Sequence, residues 1–364
     1  MNSLADEALA THGARLTIDL GAIVENWCRL GAEAPGIECA AVVKADAYGC
    51  GLASVAPALW RAGCRTFFVA HLSEGLALRA LLPEAEVSVL NGLLPGTVPL
   101  YVEARLRPVL GAKEEIGEWA EASEGRLPAA LHVDTGMNRL GLRVPEALAL
   151  AGDPLIRRAG IDLLMSHLVS AELPGDPVNA RQLADFVQLR AAFPDLPASL
   201  ANSSGIFLGR AAHHTLLRPG YALFGGNPTP HRANPMRPVV RLEAGIAQVR
   251  TVEAGESVGY NGRWTAPGPR RLATLSLGYA DGYPRAGSGR GHALVEGVAC
   301  PILGLISMDL IVLDVTQALG ASRGATATLI GDELDVDAVG RAADTIGYEI
   351  LTGLGSRYVR AYVE

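Results

Sequence analysis

Residues 40–91 read AAVVKADAYGCGLASVAPALWRAGCRTFFVAHLSEGLALRALLPEAEVSVLN. Three short apolar runs stand in this stretch, Ala40–Val43, Thr66–Ala70 and Val87–Leu90. Between them lie two segments rich in Ala and Leu, Leu52–Ala62 and Ser73–Leu82. Runs this short and this continuously apolar suit strands buried on both faces, and the longer segments suit the helices that cross between parallel strands. Gly63 follows the first helix as a stop signal, and Ser73–Glu74 is a polar start for the second. The rhythm continues through Arg107–Leu110, Ala129–Val133, Asp162–Met165, Ala198–Ala201 and Leu216–Phe224, with further helix-like stretches at Lys113–Ala122 and Asn179–Ala192. Eight such units over about 220 residues predict a closed parallel (β/α)8 barrel of the TIM type. A doubly wound sheet would use fewer strands and a glycine-rich loop after the first. No GxGxxG stands there, and Gly287–Gly291 (GSGRG) reads as a loop.

After Asn227 the pattern changes. Pro228, Pro230, Pro235 and Pro238 punctuate a polar segment, and the helix-like stretches vanish. Period-two alternation follows at Arg241–Val252, Arg271–Leu277, Ala293–Val298, Leu310–Val315 and Thr326–Ile330. The expected division is a barrel over residues 1–234 and a mostly β domain over 235–364. The early run Leu16–Leu20 precedes the barrel rhythm and is a candidate to pair with the later domain.

Composition narrows the function classes. A chain of 364 residues suggests two domains and a large core. The net charge of −7 argues against a nucleic-acid partner, which would call for a basic excess. No apolar run approaches the roughly 20 residues of a membrane span, and Met1–Arg15 lacks the apolar centre of a signal peptide. Cys28, Cys39, Cys50, Cys64 and Cys300 are odd in number and scattered, which fits a reducing cytoplasm. No metal site is expected. His213, His214 and His231 lack ligand partners at metal spacing, and the acidic run at Asp332, Glu333, Asp335 and Asp337 lacks the EF-hand glycine. Of 31 basic residues only two are lysines, Lys44 and Lys113, so lysine chemistry has few candidates.

The predicted strands end in polar groups: Lys44, His71, Asn91, Asp134, His167, Asn202 with Ser203, and Arg218 within the last run. In a parallel barrel these ends share one face, where active sites lie. Lys44 closes a buried-type strand. Burial lowers a lysine pKa and makes the amine a nucleophile able to form a Schiff base with an aldehyde. Pyridoxal phosphate is the common aldehyde cofactor held in this way. Tyr48, in a turn with Gly49, offers a hydroxyl to a phosphate.

Val42-Val43-Lys44-Ala45-Asp46-Ala47-Tyr48-Gly49 resembles the cofactor-lysine motif of the alanine racemase family, a fold-type-III pyridoxal-phosphate family. Further blocks match in order: His132–Gly141 (HVDTGMNRLG), Ser166-His167, Asn202-Ser203, Arg218-Pro219-Gly220, Val258-Gly259-Tyr260, Gly278–Gly282 (GYADG), Ser307-Met308-Asp309 and Arg357. The likeness runs from about Arg15 to the C-terminus. It implies a barrel followed by a β domain, in agreement with the division read from periodicity. It also implies a homodimer that interconverts L- and D-alanine with pyridoxal 5'-phosphate and supplies D-alanine for peptidoglycan. By resemblance Lys44 carries the cofactor, whose phosphate is held by Tyr48, Asn202, Ser203, Gly220 and Tyr221. Arg218 faces the pyridine nitrogen, and His167 links Arg218 to Tyr260. Lys44 and Tyr260 are the two bases, Tyr260 coming from the second subunit and favoured as an anion by nearby positive charge. Arg139, Met308 and Asp309 grip the substrate carboxylate, and Tyr279 and Arg285 line the narrow passage to the site. Arg139, Arg218, Arg285 and Arg357 are expected around the phosphate and the carboxylate.

Two positions depart from the family pattern. His132 stands where many members carry a carbamylated lysine that positions the arginine at Arg139, and Ser356 stands where many carry a tyrosine near phosphate and substrate. The smaller serine suggests room for a larger substrate, so serine or broader racemisation is an alternative. A non-catalytic pyridoxal-phosphate carrier and a decarboxylase of the same architecture are the others. The carrier lacks a β domain, and the decarboxylase needs an acidic recognition group.

Overall fold

The computed structural model describes residues 11–364; the first ten residues of the segment read as lacking a signal peptide lie outside them. The described chain divides into two compact units. One comprises residues 11–22, Phe224–Gly226 and Pro238–Glu364, the other Ile23–Leu223 and Asn227–Arg237.

Strand β1 (Ala14–Asp19) belongs to the former unit. The latter is built on β2 (Glu38–Cys39), β3 (Ala41–Val42), β4 (Thr66–Val69), β5 (Glu86–Val89), β6 (Arg107–Leu110), β7 (Ala129–Asp134), β8 (Leu142–Arg143), β9 (Ile161–Met165), β10 (Ala198–Ser199) and β11 (Leu216–Leu217). All these pairings are parallel, in the order β3-β4-β5-β6-β7-β9-β10, with β8 a side branch on β7. Two further ladders close the ring. Thr215 and Arg218 donate to the carbonyls of Ala198 and Ala201 at 3.0 and 2.9 Å, joining β11 to β10. Leu216 and Leu217 pair with Glu38 and Cys39, and the N–H groups of Ala40 and Val42 continue along Leu217 and Pro219. With β2 and β3 as one stave interrupted at Ala40, eight staves form the barrel. Phe67 and Phe68 are wholly buried on successive positions of β4, because core and helices cover both faces of the sheet. The helix Leu52–Ala62 buries Val55, Ala56 and Leu59 and stops at Gly63, whose φ of 112° suits only glycine.

The last predicted run, Leu216–Phe224, is corrected. Its strand ends at Leu217, and Tyr221–Phe224 is a 3-10 turn. Pro219 has no N–H to carry the ladder further.

The other unit adds β12 (Val240–Val252), β13 (Ser257–Val258), β14 (Trp264–Thr265), β15 (Arg270–Leu275), β16 (His292–Val295), β17 (Val298–Leu303), β18 (Ile311–Asp314), β19 (Thr326–Ile330) and β20 (Val359–Val363). The long β12 pairs with β19 and β1 along its first half and with β15 along its second. The ring β12-β15-β18-β17-β16-β19 is thereby closed, with β1 and β20 extending from β12. Ala293–Val298, read as one strand, is a hairpin. Val295 pairs with Val298 across Glu296 (φ 51°) and Gly297 (φ 77°). Two positive φ values mark the tight hairpin turn that matches strand twist. Helices do not vanish from this half either: Val336–Ala342 and Gly347–Thr352 are helical. Asp335 of the acidic run caps the first of these, its carboxylate accepting the Ala338 N–H at 2.7 Å. Among the described residues no helix is long and apolar enough to cross a membrane.

Candidate active site

Lys44 follows β3, at the C-terminal end of the barrel strands. It is half-buried, and its pKa is lowered, chiefly by burial and then by the charge of Arg139, while Glu74 acts in the opposite sense. The chain then makes a rare turn. Ala45, Asp46, Ala47 and Tyr48 all have φ between 53° and 54°, a left-handed turn built without glycine. Each L-residue held so costs roughly 1–2 kcal/mol, and such strain persists only where the surroundings enforce it. The anchors are visible. The Asp46 carboxylate accepts the Leu52 N–H at 2.7 Å, and the Glu74 carboxylate accepts the Ala45 N–H at 2.6 Å.

The turn carries the Tyr48 side chain into the barrel, buried, against Gly220. A Cβ on Gly220 would lie 2.3 Å from the Tyr48 hydroxyl, so only glycine permits this approach. Beside it the Ser203 Oγ accepts the N–H groups of Gly220 and Ala222 at 3.0 and 3.2 Å. Two hydroxyls and the amides of a tight turn thus converge, a donor set suited to a phosphate dianion. Tyr221 opens the 3-10 turn that follows. Asn202 lies at the edge of this cluster, where its Oδ1 accepts the Gly205 N–H at 2.8 Å and shapes the turn.

Arg218 is 4% exposed. It donates from Nη1 to the Ser199 Oγ and from Nη2 to the Ser166 carbonyl at 2.5 Å. Burial lowers its pKa to about 10, so the guanidinium keeps its charge at neutral pH. That charge dominates its surroundings. His167 is lowered to about 3 by burial and then by Arg218, Arg139, Lys44 and His132. His132 is lowered to about 4 by burial and by Arg218, with Arg139 adding and Asp134 opposing. Both imidazoles are therefore neutral, in a pocket whose cations are Arg218, Arg139 and Lys44. Arg139 itself is exposed on the loop after β7.

A buried network, missed in the sequence, sets these strand ends. Gln182, fully buried on the helix Pro177–Ala192, donates to the Thr135 Oγ1 and the His167 carbonyl, both at 2.9 Å. Its Oε1 accepts the Val169 N–H at 2.9 Å, and Thr135 meets the Ser166 Oγ at 2.8 Å. The only signal available was a glutamine on the apolar face of a helix. Other strand-end residues stay outside the cluster. His71 and Asn91 are exposed, and Asp134 caps its own loop by accepting the Gly136 and Met137 N–H groups.

In the β-rich unit Tyr260 stands on a short turn after Gly259 and is 68% exposed. Met308, Tyr279, Asp309 and Arg285 are exposed as well. The segments 278–282 and 307–309 are laced together. Tyr279 and Ala280 donate to the carbonyls of Ser307 and Met308, each at 3.0 Å, and a Cβ on Gly278 would lie 2.3 Å from the Met308 oxygen. Arg357 spans both segments, its Nε 3.3 Å from Asp281 and its Nη2 2.8 Å from Asp309. Arg357 is thus paired with two carboxylates, one of them on Asp309. Tyr358 is buried, whereas Ser356 and Arg357 are exposed.

Residues 18–228 match the family described as alanine racemase, N-terminal domain, and residues 239–362 match alanine racemase, C-terminal domain. The chain belongs to the alanine racemase family. An alanine racemase of Methylobacterium nodulans is 67% identical over 362 residues, covering 98% of each chain. A catabolic alanine racemase of Mesorhizobium japonicum is 50% identical, covering 97% of this chain and 94% of its own. Among solved structures, the alanine racemase of Bartonella henselae, with covalently bound pyridoxal phosphate, superposes with a TM-score of 0.92 at 40% identity. That match covers 96% of this chain and 99% of the other. The barrel followed by a β domain, as read from periodicity, is the architecture of this racemase family.

Proposed function

We infer that the chain is a pyridoxal-phosphate-dependent alanine racemase, an isomerase interconverting L- and D-alanine. The observation that carries this reading is the placement of a lysine of lowered pKa beside a cradle of hydroxyls and glycine amides, in a chain so similar to named racemases. The residues fit the cofactor. Lys44 would hold its aldehyde carbon, and Tyr48, Asn202, Ser203, Gly220 and Tyr221 its phosphate. Arg218 would face its ring nitrogen. When bound, the cofactor supplies an electron-accepting ring that makes the substrate Cα proton removable.

The chain's own groups do the rest. Lys44, whose pKa is lowered by burial and by Arg139 against the opposing charge of Glu74, is the more readily freed of its proton and acts as a base. Tyr260 is the second base, on the opposite face of Cα. Arg218 retains its proton and, facing the ring nitrogen of a bound cofactor, would leave that nitrogen unprotonated, while His167 stays uncharged. Arg139 binds the substrate carboxylate, as do Met308 and Asp309 through their backbone, while Tyr279 and Arg285 line the approach. The cofactor-binding domain is the barrel unit, Ile23–Leu223 with Asn227–Arg237, and the β-rich domain takes residues 11–22, Phe224–Gly226 and Pro238–Glu364. Two copies form a homodimer in which each contributes Tyr260 to the other, in the cytoplasm, with no nucleic-acid or membrane partner. The product serves peptidoglycan synthesis.

Incubation with L-alanine and, separately, L-serine in deuterated water tests the reading. Inversion of alanine with deuterium at Cα is expected. Serine inversion at a comparable rate would mark a broader racemase, consistent with exposed Ser356. Cofactor binding without exchange of either amino acid would make the chain a carrier.

A further inference from the structure

The Glu74 carboxylate accepts three backbone hydrogen bonds, from two neighbouring strand ends. Its Oε2 takes the N–H groups of Ala70 and His71, at 2.7 and 3.0 Å, where β4 passes into the helix Leu72–Leu81. Its Oε1 takes the Ala45 N–H at 2.6 Å, directly after Lys44 on the adjoining stave. Ala45 is the first residue of the left-handed turn that ends at Tyr48. One side chain therefore fixes the start of the most strained segment in the barrel unit, a segment with the amine at one end and the phosphate-cradle hydroxyl at the other.

We propose that Glu74 is a positioning residue for the reaction: by anchoring the Ala45 N–H it holds the left-handed turn that aims the Lys44 amine and the Tyr48 hydroxyl. The inference rests on reading Lys44 as the cofactor lysine. The Glu74 charge also supports protonation of Lys44, against the opposing effects of burial and Arg139. His167, neutral, lies close enough to Lys44 to feel its charge.

The same fold contains a natural control. Glu115 has the same place on its own helix, Lys113–Ser123. Its Oε2 takes the N–H groups of Gly111 and Ala112 at 2.6 and 3.1 Å, and its Oε1 reaches back to the Leu93 N–H at 3.0 Å. The loop it holds, after β5, contains no lysine and no non-glycine residue of positive φ. A carboxylate that merely ties loops should behave alike at both positions, whereas a positioning residue should not.

The test compares Glu74→Gln with Glu115→Gln in the full-length holoenzyme, with pyridoxal 5'-phosphate titrations of the apoenzymes alongside. A glutamine keeps one acceptor oxygen and turns an NH2 donor toward the remaining N–H groups. For Glu74→Gln we expect kcat for L-alanine to fall about tenfold or more with KM within about threefold, as misplacement of a reacting group produces. Affinity for pyridoxal 5'-phosphate should fall about tenfold as the Tyr48 hydroxyl drifts, and the pH limb of kcat belonging to Lys44 should move to lower pH. Glu115→Gln should lower Tm to a similar degree and leave kcat, the pH limb and cofactor affinity alone. Equal losses of Tm with kcat, pH limb and affinity unchanged in both variants would overturn the proposal. If Glu74→Gln does not accumulate, Glu74→Asp replaces it, keeping the charge on a shorter arm. It should keep the pH limb and lose kcat, and a wild-type kcat there overturns the proposal equally. Failure of the wild-type protein to racemise alanine would instead strike the reading of Lys44, before any variant is compared.

Discussion

The Tyr48 hydroxyl lies 2.3 Å from where a Cβ on Gly220 would be built, and its ring carbon Cζ lies 2.9 Å away. Neither atom can yield cheaply, because Tyr48 is buried and hangs from a strained turn. Gly220→Ala should therefore push the tyrosine out of the cradle. Titration with pyridoxal 5'-phosphate should show affinity reduced at least about tenfold, one misdirected contact to a charged group being of that size. Tyr48→Phe removes the hydroxyl but not the ring contact, so the double variant should remain impaired. Wild-type affinity in Gly220→Ala would mean that the cradle lies elsewhere.

Gln182 offers a test of stability rather than binding. Replacing it with leucine keeps roughly the volume but strands the His167 carbonyl and the Val169 N–H, and leaves the Thr135 hydroxyl with Ser166 alone. At about 1–3 kcal/mol for a buried group left unpaired, and with Val169 exposed enough for water to reach its N–H, denaturant unfolding should show a loss of roughly 2 kcal/mol. A change below about 1 kcal/mol would indicate that water replaces the glutamine.

Much of this could be read in the sequence, because the barrel writes its period into the chain. Each apolar run from Ala40–Val43 to Ala198–Ala201 coincides with a stave, since strands buried on both faces admit little else. The polar groups that end those runs, Lys44, His167, Ser203 and Arg218, do gather at one end of the barrel. The hairpin at Glu296–Gly297 was hidden because a glutamate is an unusual first residue for a turn with positive φ. The helix Val336–Ala342 was hidden because its acidic cap resembles a solvated loop. Glu74 and Gln182 act through backbone groups that no spacing rule points to. The Arg357 pairing depends on three segments distant in the chain.

The two neutral histidines predict acid sensitivity. Their pKa values, about 4 for His132 and about 3 for His167, lie below the 6.5 of a free imidazole. Between pH 6.5 and those values the unfolded chain takes up protons that the folded chain refuses. Stability is thus full above 6.5 and falls on acidification, by about 1.4 kcal/mol per pH unit for each histidine. His132→Asn removes one of the two, so urea unfolding of this variant should show a slope shallower by about that amount between pH 6.5 and 4. An unchanged slope would mean that His132 is protonated in the folded protein.

Arg357 joins Asp281 to Asp309, and so joins the segment bearing Tyr279 to the segment bearing Met308. Asp281 is buried and spends its other oxygen on the Gly278 N–H at 2.8 Å, so it cannot swing away to follow a displaced partner. Arg357 and Asp309 are both half-exposed, and salt should weaken their pairing. If Met308 and Asp309 bind the substrate carboxylate, Arg357→Met should raise KM for alanine by about tenfold and change kcat by less than about threefold, the pattern of lost binding rather than lost chemistry. Asp309→Asn leaves the backbone in place and breaks the same pair. Its effect should add little to that of Arg357→Met in the double variant, because the two substitutions remove one interaction. Additive losses, or a fall in kcat alone, would show that Arg357 acts on something other than this clasp.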